Sequence, residues 1–238
     1  LGAVIEFEAV TRVERDGKDF VVYTDEREIP CHSVILATGA KNRPLGVDKE
    51  EALVGAGVSY CATCDGAFFR GMPVAVVGGG DTAVSDALYL ARFAERVYVV
   101  HRRDTLRATQ VLQDAAKQEA RIEFVLDSVP EDILGEEAVE GLRVKNKKTG
   151  ESRVLTVKGI FVAVGTTPRS ALVRDLVACD ANGYIETDAH MRTSVPGVYA
   201  AGDVRVTPLR QVITAAADGA VAATMAVEYL MQQGTLPE

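Results

Sequence analysis

Pro73-Val74-Ala75-Val76-Val77-Gly78-Gly79-Gly80-Asp81-Thr82-Ala83 reads as a short buried strand that stops on glycine and turns at once into a helix. Gly71 bounds the strand in front. Behind it, Val84, Ala87, Leu88 and Ala91 recur at the i, i+3, i+4, i+7 spacing of one apolar helix face. In that setting Gly78-x-Gly80-x-x-Ala83 fits a dinucleotide-binding turn. The first glycine allows the tight turn, the second lets a phosphate approach the backbone, and Ala83 lets the helix lie close to the strand. From Thr82 onward the chain reads as helix, and the helix N-terminus, with Asp81 just before it, faces the pyrophosphate.

Working outward, Arg96–Val100 supplies the second strand of a βαβ unit. A turn that takes NAD places Asp or Glu at the end of that strand, to hold the ribose 2′-hydroxyl. Here the position carries His101-Arg102-Arg103, with Arg107 a helical turn later. A solvated basic cluster is the bland reading. Its place, about 20 residues after the fingerprint, favours guanidinium recognition of a 2′-phosphate and hence NADPH. A helix is expected over residues 104–120 and a strand over 122–126.

Upstream of the turn lies Cys61-Ala62-Thr63-Cys64-Asp65-Gly66. Cysteines two residues apart can close a small disulfide ring, open it, and exchange two electrons at a time. A structural zinc site needs two more ligands, and Cys31 with His32, being adjacent, complete a tetrahedron poorly. No thioredoxin-sized module frames the pair, and two inert thiols would not need this spacing. Redox chemistry is the favoured reading, and the single Cys31 and Cys179 are read as structural. Hydride passes poorly to a disulfide without an intermediary, and a flavin is one. Ala37-Thr38-Gly39 and Ala201-Gly202-Asp203 both end strands at the sheet edge where such a ligand binds, with Asp203 an acceptor for ribityl hydroxyls.

The order of elements repeats. Residues 3–37 read as a β-meander, with strands at Val4–Val13 and Phe20–Thr24 around an Asp16-Gly17 turn, then a buried strand, Ser33–Ala37, stopping at Thr38-Gly39. Later, Ile122–Leu126, Leu142–Lys145 and Arg153–Val157 precede a buried strand, Ile160–Val164, stopping at Gly165. A strand over Gly197–Ala201 and a long helix over Gln211–Gln232 complete the chain. The fold class expected is α/β: two doubly wound, Rossmann-like nucleotide-binding domains, each with a three-stranded meander, one inserted in the other.

Composition sets bounds. The 238 residues are 47% hydrophobic, enough for one large or two modest cores, and the formal charge of −8 argues against nucleic acid or an anionic membrane as partner. Asp218 and Glu228 interrupt the best apolar run, so no spanning segment is expected. Four cysteines and no secretory leader point to a reducing, cytoplasmic setting. The chain starts at Leu1 inside a strand-like pattern and reads as cut from something longer.

Taken together, CATCDG at 61–66, GGGDTA at 78–83, HRRDTLRA at 101–108, AGDV at 201–204 and Arg210-Gln211 resemble, in order and spacing, the low-molecular-weight thioredoxin reductases. The resemblance covers essentially the whole chain. It implies an FAD domain at 1–43 and 169–238, an NADPH and dithiol domain at 44–168 that rotates during turnover, thioredoxin as disulfide partner, and a homodimer. It implies that Cys64 faces the flavin, Cys61 exchanges with thioredoxin, and Asp65 gives and takes the proton. Cofactor contacts are implied at Thr38, Gly39, Gly165, Gly202, Asp203, Arg210, Gln211 and Val212. A peroxiredoxin-reducing flavoprotein of the same family and a flavin-free NADPH-binding fragment are the alternatives. The family's first βαβ unit, which holds the ADP half of FAD, has no counterpart here, so weak FAD retention is expected.

Overall fold

A computed structural model describes residues 2–235; Leu1 and positions 236–238, which the expected domain limits include, lie outside the described residues. The chain divides into two compact units, Leu1–Lys41 with Thr166–Glu238, and Asn42–Gly165.

In the first unit, β1 (Val10–Asp16), β2 (Asp19–Thr24) and β3 (Glu28–Cys31) form an antiparallel meander, followed by β4 (Val34–Leu36); β5 (Ala40–Asn42) runs across the point where the chain leaves this unit. The second unit begins with β6 (Val58–Ser59) and α1 (Ala62–Asp65), the latter continued by a 3₁₀ turn at Gly66–Phe69. Next come β7 (Pro73–Gly78), α2 (Asp81–Ala91), β8 (Arg96–Val100), α3 (Gln110–Gln118) and β9 (Ile122–Val125). A second meander, β10 (Ser128–Leu134), β11 (Gly141–Asn146) and β12 (Ser152–Leu155), leads into β13 (Gly159–Ala163). The chain returns to the first unit through β14 (Thr166–Pro168), β15 (Val198–Ala200) and α4 (Val212–Gln232).

The second unit is built on a parallel sheet of order β6-β13-β7-β8-β9. Val74, Ala75 and Val76 are buried on both faces of β7, as a central parallel strand requires. One face packs on Ala83, Ala87 and Leu90 of α2, the other on Ile133, Leu142 and Val144 of the meander. Each buried valine contributes roughly 1.5–3 kcal/mol. Strand order reverses between β7 and β13, so a crevice opens at their carboxyl ends. In the first unit β4 and β15 pair in parallel, and Phe20, Leu36, Ile185, Val198 and Val204 form the core. On α4, Ala222 and Ala226 pack against Tyr199, whose hydroxyl donates to the Met225 carbonyl at 3.0 Å.

Four expectations need correction. The first strand begins at Val10, not Val4: Val4, Ile5 and Phe7 are exposed and meet no partner strand among the described residues. In the Ser33–Ala37 strand Leu36 is buried but Ile35 is exposed, the two side chains pointing to opposite faces of the strand. Ile122–Val125 is the edge strand of the parallel sheet rather than the first strand of the second meander. That role falls to β10, where Pro130, Glu131 and Asp132 hide the alternation and the ladder shifts register between Pro130 and Asp132. Finally, α3 begins at Gln110 and not at residue 104. The Arg107 and Ala108 amides donate to the Gly79 carbonyl, and the Thr109 amide donates to Asp81 Oδ1 at 2.7 Å. Those bonds hold the preceding loop against the glycine turn instead of coiling it.

Candidate functional site

Cys61 and Cys64 form a disulfide with Cα atoms 5.3 Å apart, across the first turn of α1. Cys61 is the residue before the helix, and its Sγ accepts the Cys64 amide at 3.2 Å, with the Thr63 hydroxyl at 3.4 Å. Two donors directed at one sulfur stabilise a thiolate there. Cys61 is half-buried and Cys64 exposed. The small residues of the motif allow the close seat on α2: Ala62 is buried against Ala83, Ala87 and Leu90, and a Cβ at Gly66 would press on Leu90 at 2.8 Å. Asp65 Oδ2 accepts the Ser59 hydroxyl at 2.7 Å. Phe69 packs edge-on against Phe161 with centroids 5.4 Å apart, whereas Phe68, four residues after Cys64, is 77% exposed.

The same helix carries a half-buried carboxyl, Asp86, pushed up to about 6 by burial alone. Its folded value therefore lies above the ordinary carboxylate range of the unfolded chain. Stability associated with the protonated form is full below about pH 4 and is lost as pH rises toward 6. Asp86→Asn is expected to raise Tm at pH 7.5, by about 1–2 kcal/mol in stability after allowing for solvent screening, and to leave it unchanged at pH 3.5. Thermal melts of both proteins at the two pH values decide it; an equal gain at both would reject the argument.

At the carboxyl ends of β7 and β13 lies a cavity of about 410 Å³, lined among others by Gly78, Gly79, His101, Arg102 and Arg107. The glycines have separate reasons. A Cβ at position 78 would overlap the Ala163 carbonyl and stand 2.7 Å from the Ala83 methyl, and one at 79 would overlap the His101 ring. Position 80 is open, with nothing within 4 Å, at the start of the eleven-residue α2. That open space before unfilled helix amides suits a diphosphate. His101 is buried, its Nε2 has no partner, and burial followed by the Arg107 charge pulls its pKa below the usual imidazole value. Arg102, Arg103 and Arg107 are exposed. Only Arg102 and Arg107 line the cavity, and the Arg103 carbonyl accepts the Asp127 amide. Asp81 spends Oδ1 on Thr109, while Ala83 is fully buried and Thr82 exposed. Gly165 has a φ of 104°, a turn that L side chains rarely adopt, and its carbonyl accepts the Arg43 amide.

In the first unit, Thr38 Oγ1 donates to the Arg169 carbonyl at 2.6 Å and the Arg169 amide returns a bond to Gly39. Gly39 has a φ of 71° and open space beyond its Cα. The Gly202 amide donates to Asp218, which also holds Arg205 through both carboxylate oxygens, at 2.7 and 3.1 Å. Gln211 caps α4 reciprocally with Thr214. Arg210 lies over the Tyr184 ring at 4.3 Å with a buried, unpartnered Nε, and Val212 is exposed. An open glycine, an unpartnered guanidinium nitrogen and the amides of a long helix fit an extended phosphate-bearing cofactor. Asp203 is half-buried at the end of β15.

Sequence reasoning missed Ser59, Asp86, exposed Phe68 and the Arg43–Leu45 wall of the cavity. Only Phe68 had a signal, as one of two adjacent phenylalanines that cannot both face the core. Cys31 and Cys179 are half-buried, and burial raises both thiols, as inert structural cysteines require.

A family model described as pyridine nucleotide-disulphide oxidoreductase matches residues 3–219. Thioredoxin reductase from Peptoclostridium acidaminophilum is 47% identical over 235 residues, covering 96% of this chain and 75% of that protein. The crystal structure of thioredoxin reductase from Streptococcus pyogenes MGAS5005 superposes with a TM-score of 0.89 at 46% identity, over 94% of this chain and 74% of that one. Thioredoxin reductase from Giardia duodenalis gives 0.90 at 36% identity, over 97% and 76%. The chain spans about three quarters of the length of these relatives. By its glycine turn, its dithiol and this likeness, the chain belongs to the thioredoxin reductases of the pyridine nucleotide-disulphide oxidoreductase family.

Proposed function

We infer that this chain passes electrons from NADPH, through FAD and the Cys61–Cys64 pair, to the disulfide of thioredoxin. The observation that carries the reading is the Cys61–Cys64 disulfide, seated through Ala62 on the same helix that the nucleotide turn begins. NADPH, when bound, would supply a hydride, and FAD would supply the two-electron chemistry that links hydride to sulfur. The Gly78–Ala83 turn, His101, Arg102, Arg103 and Arg107 would hold NADPH. Gly165, just past β13, would join that set, and Thr38, Gly39, Gly202, Asp203 and Arg210–Val212 would hold FAD. Cys61 is assigned the exchange with thioredoxin, supported by the two donors on its sulfur, Cys64 the flavin side, and Asp65 the proton. Exposed Phe68, four residues after Cys64, would offer the partner an apolar footing. The test is NADPH-dependent release of thiols from thioredoxin disulfide by the flavin-bearing protein; no release would reject the reading.

The 2′-phosphate assignment has its own test. Replacing Arg102 and Arg103 together with glutamine is expected to weaken NADPH by 10-fold or more, since each charge-assisted contact is worth on the order of 1.5–3 kcal/mol. NADH, which lacks the phosphate, should be little affected. Titration of both nucleotides by calorimetry reads the difference, and equal losses would show that these arginines do not read the phosphate.

The reading carries a homodimer working in the cytoplasm. Among the described residues no helix is long and apolar enough to cross a membrane. Sedimentation equilibrium checks the dimer.

A further inference from the structure

We propose that Ser59 is a positioning residue for thiol–disulfide exchange, its buried hydroxyl holding Asp65 in place to move the proton. The proposal rests on the roles given above to Cys61, Cys64 and Asp65. Ser59 is 4% exposed and sits on β6, whose ladder pairs it with Phe161 of β13. Its Oγ lies 2.7 Å from Asp65 Oδ2 and 3.3 Å from the Cys61 carbonyl, so its single proton goes to the carboxylate. The same oxygen accepts the Cys61 amide at 3.0 Å. One side chain thus ties the backbone of the first cysteine and the carboxylate beside the second to the sheet. With Oδ2 engaged, the carboxylate is held against rotation, and its other oxygen is left for proton exchange.

The step at stake moves one proton and two electrons. A thiolate of the reduced pair attacks an alkyl disulfide, forming a mixed disulfide and breaking the substrate S–S bond. The departing alkyl thiolate takes a proton from Asp65, which Asp65 recovers from the second thiol of the pair. That second sulfur, now a thiolate, closes the Cys61–Cys64 ring and expels the remaining substrate thiolate. The dithiol is oxidised and the substrate disulfide reduced. An alkyl thiolate is a poor leaving group and gains from the proton; an aryl thiolate of low pKa does not need it. Leaving-group dependence therefore separates a proton-positioning role from a merely structural one.

The full chain, reduced with dithiothreitol and desalted, is mixed in single turnovers with 2-hydroxyethyl disulfide or with 5,5′-dithiobis(2-nitrobenzoate). No flavin or nucleotide is required. Ser59→Ala is expected to slow the alkyl reaction about 10-fold, below the 10²–10⁴ typical of losing the acid itself, and to leave the aryl reaction at the parent rate. Asp65→Asn should show the same preference more strongly, and adding Ser59→Ala to it should slow nothing further, since both act through one carboxylate. Ser59→Thr, which keeps the hydroxyl, should restore the alkyl rate if it folds, as circular dichroism reports. Equal slowing of both disulfides would reduce Ser59 to a support for the Cys61 amide, and an unchanged alkyl rate would make the hydroxyl dispensable; either overturns the proposal. The underlying relay is judged separately. If Cys64→Ser still releases two thiols per chain, above a Cys61→Ser/Cys64→Ser control, that reading fails whatever Ser59 does.

Discussion

Cys64→Ser and Cys61→Ser are each expected to reduce NADPH-dependent turnover of thioredoxin to the uncatalysed background, the largest effect of any substitution in the chain. The ring that closes in the structure needs both sulfurs: with one removed, a mixed disulfide with the partner has no second thiolate to resolve it. Bleaching of the flavin absorbance by NADPH should proceed at the parent rate in both variants, because no sulfur takes part in it. Asp65→Asn keeps the shape and loses the proton exchange, so turnover should fall by about 10²-fold without vanishing. Stopped-flow absorbance separates the two halves of the reaction. Persistence of thioredoxin reduction at the parent rate in either serine variant would remove the relay from this motif.

The glycine turn supplies the second large effect, through a contrast between two positions. Gly78→Ala drives a Cβ into the Ala163 carbonyl and to 2.7 Å from the Ala83 methyl, atoms fixed by the sheet and the base of α2. Neither can swing aside, so destabilisation of about 1–3 kcal/mol or more is expected, with nucleotide binding lost alongside. Gly80→Ala meets open space at φ −94°, a conformation open to any residue, and should change stability by less than about 0.5 kcal/mol. Its methyl group nevertheless occupies the approach to the helix amides, and nucleotide affinity should drop roughly tenfold, about 1.4 kcal/mol. Melting curves and nucleotide titrations on the two variants give four numbers. Parent-like affinity in Gly80→Ala would show that no phosphate passes over that glycine.

Much of the site was legible because its chemistry is local in sequence. A strand, a glycine turn and the start of a helix within eleven residues give the geometry a phosphate cradle needs, and two cysteines three positions apart are held in bonding range by a single helical turn. The arginine cluster stood out in the sequence by its distance from the turn, and of its three arginines the structure lines the cavity with Arg102 and Arg107. Its loop was not: the sequence reads as helix from residue 104, yet Arg107, Ala108 and Thr109 find better partners in Gly79 and Asp81, far away in sequence. The strand at Ser128–Leu134 stayed hidden for a related reason. Its proline and adjacent acids spoil the alternation, and only pairing with β11 makes it a strand.

From sequence alone, then, come the cofactor class of the turn, the two-electron chemistry of the cysteine pair and the alternation of strands and helices. All of these rest on residues within a turn or two of one another. Tertiary structure alone decided that His101 fills the space a side chain at 79 would take, that Ser59 reaches Asp65, and that burial raises Asp86. It also separated the two phenylalanines, placing Phe69 against Phe161 and leaving Phe68 to solvent. Each of these depends on which surfaces the folded sheet and helices bring together, and desolvation and cross-element hydrogen bonds exist only once they have met.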